Sequence, residues 1–110
     1  MPSAERMARA QSFLEDTAHA AFASLLEPVD STTLQLNRTG FAALHPEIAH
    51  RVLALALQSL TGEAYRPRFE KLTLLYDALV DLKKPVKRTL AHCQFTSHMD
   101  GKVEIAYARA

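Results

Sequence analysis

The chain has 110 residues, 48% of them hydrophobic and 23% charged, with three glycines, no tryptophan and one cysteine. That composition argues against disorder and leaves room for one domain with a single core, spanning 1–110. Cys93 alone excludes an internal disulfide and fits a reducing compartment.

No run approaches the roughly 18 consecutive apolar residues of a membrane span. The opening MPSAERMARA lacks the apolar centre of a signal peptide, so a cytoplasmic protein with no membrane partner is expected. The net charge of +1 conceals an asymmetry. Residues 1–64 carry −3 and residues 65–110 carry +4, so the C-terminal part suits a phosphate-bearing partner.

In chain order, residues 3–26 read as a long helix. Ser3 is placed to cap it, and Met7, Ala10, Leu14, Thr17, Ala21 and Leu25 form one stripe. Pro28 stops it. The stripe fits an ordinary packing helix, or a connector to a preceding domain. In 33–37, Leu34 and Leu36 alternate with polar residues as in a short strand, and turn-forming residues flank them. FAAL, from Phe41, reads as a brief helical turn with Thr39 as its cap. The helix over 46–60 opens on Pro46 and closes at Gly62, with apolar residues on more than one face.

Pro67 opens a third helix over 67–83, with Phe69, Leu72, Leu75, Tyr76, Leu79 and Leu82 at helical spacing. Lys83 and Lys84 then face its negative C-terminus. After Pro85 the period changes. Residues 89–97 and 102–108 read as a β-hairpin closed near Asp100-Gly101. The expected fold is therefore α+β and mainly helical, with three main helices, a C-terminal hairpin and the candidate strand at 33–37.

Catalytic and metal-binding patterns are absent. His92, Cys93 and His98 are close in sequence, but neighbours on a strand point to opposite faces, so no zinc set is expected and Cys93 reads as a small buried hydrophobe. The chain has no Gly-rich nucleotide loop, and Asp77 and Asp81 read as a solvated face. The basic residues carry more information. Arg66 and Arg68 bracket Pro67 at a helix N-terminus, which suits phosphate; equally, Arg68 can pair with a carboxylate such as Glu47. Lys83, Lys84, Lys87 and Arg88 form a second group, either a phosphate-contacting site or a solvated charge run.

Order and spacing tie these features together. LHPEIAHRVLALAL, Gly62, YRPRFEKLTLL, Thr89-Leu90-x-x-Cys93 and the Asp-Gly strand resemble the segment after the catalytic domain in the tRNA(Ile)-lysidine synthetase family. The match falls on Leu44, Pro46, Arg51, Leu53, Leu57, Gly62, Tyr65, Pro67, Arg68, Leu72, Thr89, Leu90 and Cys93, within residues 40–107. Ala91-His92 stands where that family commonly has two glycines, which puts a close backbone approach of this strand in question.

The resemblance implies a non-catalytic, helical substrate-binding domain. The parent enzyme would join lysine to the wobble cytidine of CAU-anticodon tRNA, through an adenylated intermediate. ATP and Mg would belong to an N-terminal domain with an SGGxDS signature, which these 110 residues lack, and this segment would need no cofactor of its own. The implied partners are that tRNA and the enzyme's own catalytic domain. By position, Arg51, Arg66, Arg68 and Lys71 are the first candidates for RNA or interdomain contact, and Lys83, Lys84, Lys87 and Arg88 the second. The competing reading is a packing module without RNA contact of its own. A stand-alone enzyme is disfavoured because no convergent acid, base or nucleophile is visible.

Overall fold

A proline at the first helical turn and a glycine after the last should bound a helix, and the most buried of the described helices has both. In the computed structural model, which describes residues 3–62 and 69–108, Pro46 starts this helix and Gly62 ends it in a left-handed conformation, φ 74°. The elements described are α1 (Ser3–Leu25), β1 (Leu26–Asp30), β2 (Thr33–Asn37), α2 (Arg38–Ala42), α3 (Pro46–Thr61), α4 (Phe69–Val80), β3 (Lys87–Leu90), β4 (Cys93–Ser97) and β5 (Lys102–Tyr107). The fold is α+β.

The strands form one antiparallel sheet in the order β1-β2-β5-β4-β3. Alternation along each strand puts every second side chain on the same face. Leu34, Leu36, Cys93, Phe95, Val103 and Ile105 are buried on one face; on the other, Gln35, Glu104, Thr96 and Lys87 lie in one cross-strand row. Helix α3 lies on the buried face, α1 packs on α3, and α4 packs on α2 and α3. Val52, Leu53, Ala56 and Leu57 of α3 are fully buried at the centre. Each such aliphatic side chain larger than alanine contributes about 1.5–3 kcal/mol by leaving water.

The sheet is larger than the sequence suggests. The short strand at 33–37 is β2, and it pairs with β5 on one side and β1 on the other. Strand β1 replaces the expected helix end and loop: α1 stops at Leu25, and Leu26 begins a strand at once. Pro28 fits there because β1 is an edge strand, where a missing N–H goes unnoticed. Residues 89–97 are two strands, not one. Ala91 and His92 both have positive φ, 53° and 63°, and make a two-residue turn joining β3 to β4. Left-handed pairs of this kind match the twist of a hairpin, and Asn-Gly is their usual sequence. The 102–108 half of the expected hairpin is β5, reached through the turn at Asp100-Gly101.

Two helix details also depart from expectation. Asn37, not Thr39, caps α2, its side chain accepting from the Gly40 N–H at 2.9 Å. Helix α4 ends at Val80, so Leu82 is exposed, as is Leu74, while Leu72, Leu75 and Leu79 are buried as the stripe requires.

That early end has a cause. Among the described residues, Arg38 is the one charged side chain in the core, 6% exposed. Its Nε donates to Leu79 O at 2.9 Å; its Nη2 donates to Ala78 O at 3.1 Å, Asp81 O at 2.7 Å and Lys84 O at 2.7 Å. Ala78 and Leu79 carry carbonyls that the end of a helix leaves without helical partners; Asp81, which also accepts from the Lys84 N–H at 3.1 Å, and Lys84 lie in the chain beyond α4. Lys83 and Lys84 were expected to answer the negative helix terminus; a buried guanidinium from α2 answers it instead, and the chain beyond Val80 winds around it. The Arg38 N–H donates to Gly101 O at 2.9 Å, which ties this knot to the β4–β5 turn.

Because alanine and histidine both resist positive φ, the double substitution Ala91→Asn, His92→Gly should stabilise the fold by about 1 kcal/mol. Urea unfolding should show a higher midpoint at unchanged slope. A lower midpoint would mean that the turn does not hold these residues left-handed.

Candidate nucleic-acid interface

A surface for a polyanion needs several cations that are exposed, near one another and not already neutralised by carboxylates. The eight basic candidates meet these requirements unequally.

Arg51 is committed elsewhere. It sits on α3 and reaches α1, donating from Nη1 to Glu15 and from Nη2 to Gln11 at 3.1 Å, with Glu47 of its own helix at 3.6 Å. Its side chain is 20% exposed. The partner expected for Arg68, Glu47, is thus held by Arg51, and the group links the α1–α3 interface. Arg66 and Arg68 lie outside the described residues. Lys71 is exposed on α4, but about 14 Å of helix at 1.5 Å per residue separates it from the Val80 end.

Lys83, Lys84, Lys87 and Arg88 lie along one short stretch of chain. All four are exposed, two in the chain leaving α4 and two on β3. They form a lip around one edge of the sheet rather than a patch on one face. Lys87 stands opposite Thr96 on the open face; Arg88 stands opposite buried Phe95 on the helix-covered side. Between the two pairs, Val86 is buried and locked to β4: its N–H donates to Ser97 Oγ at 2.7 Å, and its carbonyl accepts from the Ser97 N–H at 2.9 Å. The acidic neighbour in the lip is Asp81, 3.9 Å from the Lys84 ammonium. Both side chains are solvated, so this pair neutralises little.

The open sheet face is a poorer candidate. Lys102 binds Glu27 at 2.8 Å, and that hydrogen bond pushes the lysine pKa up; His98 lies 3.8 Å from Glu104. Its charges are mixed in sign and already paired across strands. The cations of β3 also have a purely structural use, since charged side chains on an edge strand deter pairing with another chain.

Among the described residues no three His, Cys, Asp or Glu side chains converge as metal ligands. Cys93 is fully buried, as expected of a small hydrophobe, and burial pushes its thiol pKa up, away from the reactive thiolate. His92 sits in the β3–β4 turn and is exposed, so it does not converge with Cys93. No helix among the described residues is long and apolar enough to cross a membrane. Neither a family model, nor a curated protein, nor a solved structure matches the chain.

Sequence reasoning missed Arg38, whose carbonyl partners lie some 40 residues away in the chain. A basic residue placed between a strand and a helical turn gives no local sign of such reach.

The two kinds of cation separate by stability. Arg51→Met should cost about 1 kcal/mol by opening the α1–α3 link, whereas Lys84→Met should stay within about 0.5 kcal/mol. Thermal or urea unfolding measures both. Equal and negligible effects would mean that Arg51 does not hold α1 to α3.

Proposed function

We propose that this domain is the non-catalytic, tRNA-facing substrate domain of a tRNA(Ile)-lysidine synthetase-type ligase. The parent enzyme joins lysine to the wobble cytidine of CAU-anticodon tRNA, using ATP and Mg bound in a separate catalytic domain. The observation that carries this reading is the backbone at Ala91-His92. The family motif resembled here has two glycines at these positions, and this chain turns there with two consecutive positive φ values. The glycines then serve turn geometry rather than close packing, since Ala91 is only partly buried and His92 is exposed. Replacement by Ala-His strains the motif without removing the hairpin it makes.

In this reading the lip of Lys83, Lys84, Lys87 and Arg88 takes the RNA contact. Four cations around one edge reach successive phosphates of a backbone, which positions an RNA without reading its bases. The cytoplasm is the compartment such an enzyme works in. A second reading, an interdomain packing module, is supported by a different observation. Met7 and Phe13 of α1 are 67% and 69% exposed. The α1 stripe meets α3 only from about Leu14 onward, and its first part fits a connector to another domain.

Titration of the domain with a CAU-anticodon tRNA transcript at several salt concentrations separates the two. The first reading expects binding that weakens linearly in log Kd against log salt. Reversing all four lip charges to Glu should weaken it by more than about tenfold at 0.1 M salt. Binding that is absent or insensitive to the reversal, together with self-association abolished by Met7→Ser and Phe13→Ser, would transfer the assignment to the packing module.

A further inference from the structure

The lip occupies an unfavourable place for an anion. The C-terminus of a helix carries partial negative charge on carbonyls without partners, and it repels phosphate. Here Ala78, Leu79, Asp81 and Lys84 turn their carbonyl oxygens inward onto one guanidinium, that of Arg38. Two consequences follow. The negative end of α4 is covered by a full positive charge. The chain carrying Lys83 and Lys84 is fixed by the carbonyls of Asp81 and Lys84, on either side of Lys83. On the far side Val86 is pinned to Ser97 through both its N–H and its carbonyl, just before Lys87 and Arg88. The four cations therefore leave a backbone held at both ends, and their spacing is set before any ligand arrives.

We infer that the lip owes its affinity for a polyphosphate backbone to being wound on Arg38, a positioning residue for a site it does not touch. Arg38 as a whole is 6% exposed, and its Nε and Nη2 are spent on backbone carbonyls, so little of it is offered to a phosphate. Its part is to cancel the helix terminus and to pre-order the lysines, which lowers the entropy lost on binding. The inference rests on the RNA-facing reading of the lip.

The test is fluorescence-anisotropy titration of a CAU-anticodon tRNA transcript across a salt series, with Arg38→Lys beside wild type. Lysine keeps the charge and loses the planar fork that spans four carbonyls. The expected result is affinity weaker by about fivefold with the log–log salt slope unchanged, because no phosphate contact is lost. A Lys83→Ala, Lys84→Ala pair should instead flatten the slope by roughly one to two. Ile105→Val, a core truncation on β5, two strands from β3, should bind as wild type. This control separates positioning from general loss of stability.

If Arg38→Lys does not fold, Pro85→Gly keeps Arg38 and loosens the lip next to the Lys84 carbonyl that Arg38 holds. It should show the same weakening at the same slope. Wild-type affinity in a folded Arg38→Lys, or in Pro85→Gly when it replaces it, overturns the inference and leaves the RNA-facing reading standing. A slope that falls by about one in Arg38→Lys overturns it too, since Arg38 would then contact phosphate directly. No salt-dependent binding by wild type overturns both.

Discussion

Burying one arginine sets the shape of this domain. A guanidinium in a core is costly unless every donor finds an acceptor. Arg38 answers that cost at Nε and Nη2 with backbone carbonyls from the end of α4 and from the chain beyond it. The same residue begins α2 and donates its N–H to the β4–β5 turn. One side chain and its amide thus join the second helix, the fourth helix and the sheet. Any arrangement that moved α4 along its axis would leave the charge and the carbonyls unmatched together, so this contact fixes register as well as strength.

What the constraint leaves exposed is as informative as what it buries. The carbonyls turn inward, so the side chains between them turn outward, and two of these are lysines. The lip is a by-product of satisfying a buried charge. The edge strand β3 continues it with Lys87 and Arg88, where charge also protects an unpaired strand edge. Structure and binding therefore ask for the same residue types here. That overlap is why a sequence reading of this segment as a solvated charge run and a reading as a phosphate site both fit.

Legibility followed the range of the interaction. Helix α3 was readable because Pro46, the apolar run and Gly62 are local signals that agree. Strand β2 was readable from two alternating leucines, and β5 from Val103, Ile105 and Tyr107. Strand β1 was not, because LEPVD has no alternation and Pro28 reads as a stop; its order comes from pairing with β2. The β3–β4 turn was hidden because Ala-His carries no turn signal, and only the surrounding sheet makes the strained backbone worthwhile. Of the site, Lys83, Lys84, Lys87 and Arg88 were legible as a group because they are close in sequence, but their rank above Arg51 and Lys71 was not. Separating Arg51 from the lip required knowing that α1 brings Glu15 and Gln11 to it. Arg38 was illegible because its partners are far along the chain.

The central claim, that a preformed basic lip is this domain's RNA-facing surface, is tested most directly by a backbone amide NMR titration with CAU-anticodon tRNA. The account predicts that amide signals of Lys83 to Arg88 shift or broaden first, while those of Gln35, Gln94 and Glu104 on the open sheet face stay in place. Perturbation confined to the open face or to the Met7–Phe13 stretch, or no perturbation at low salt, would contradict it.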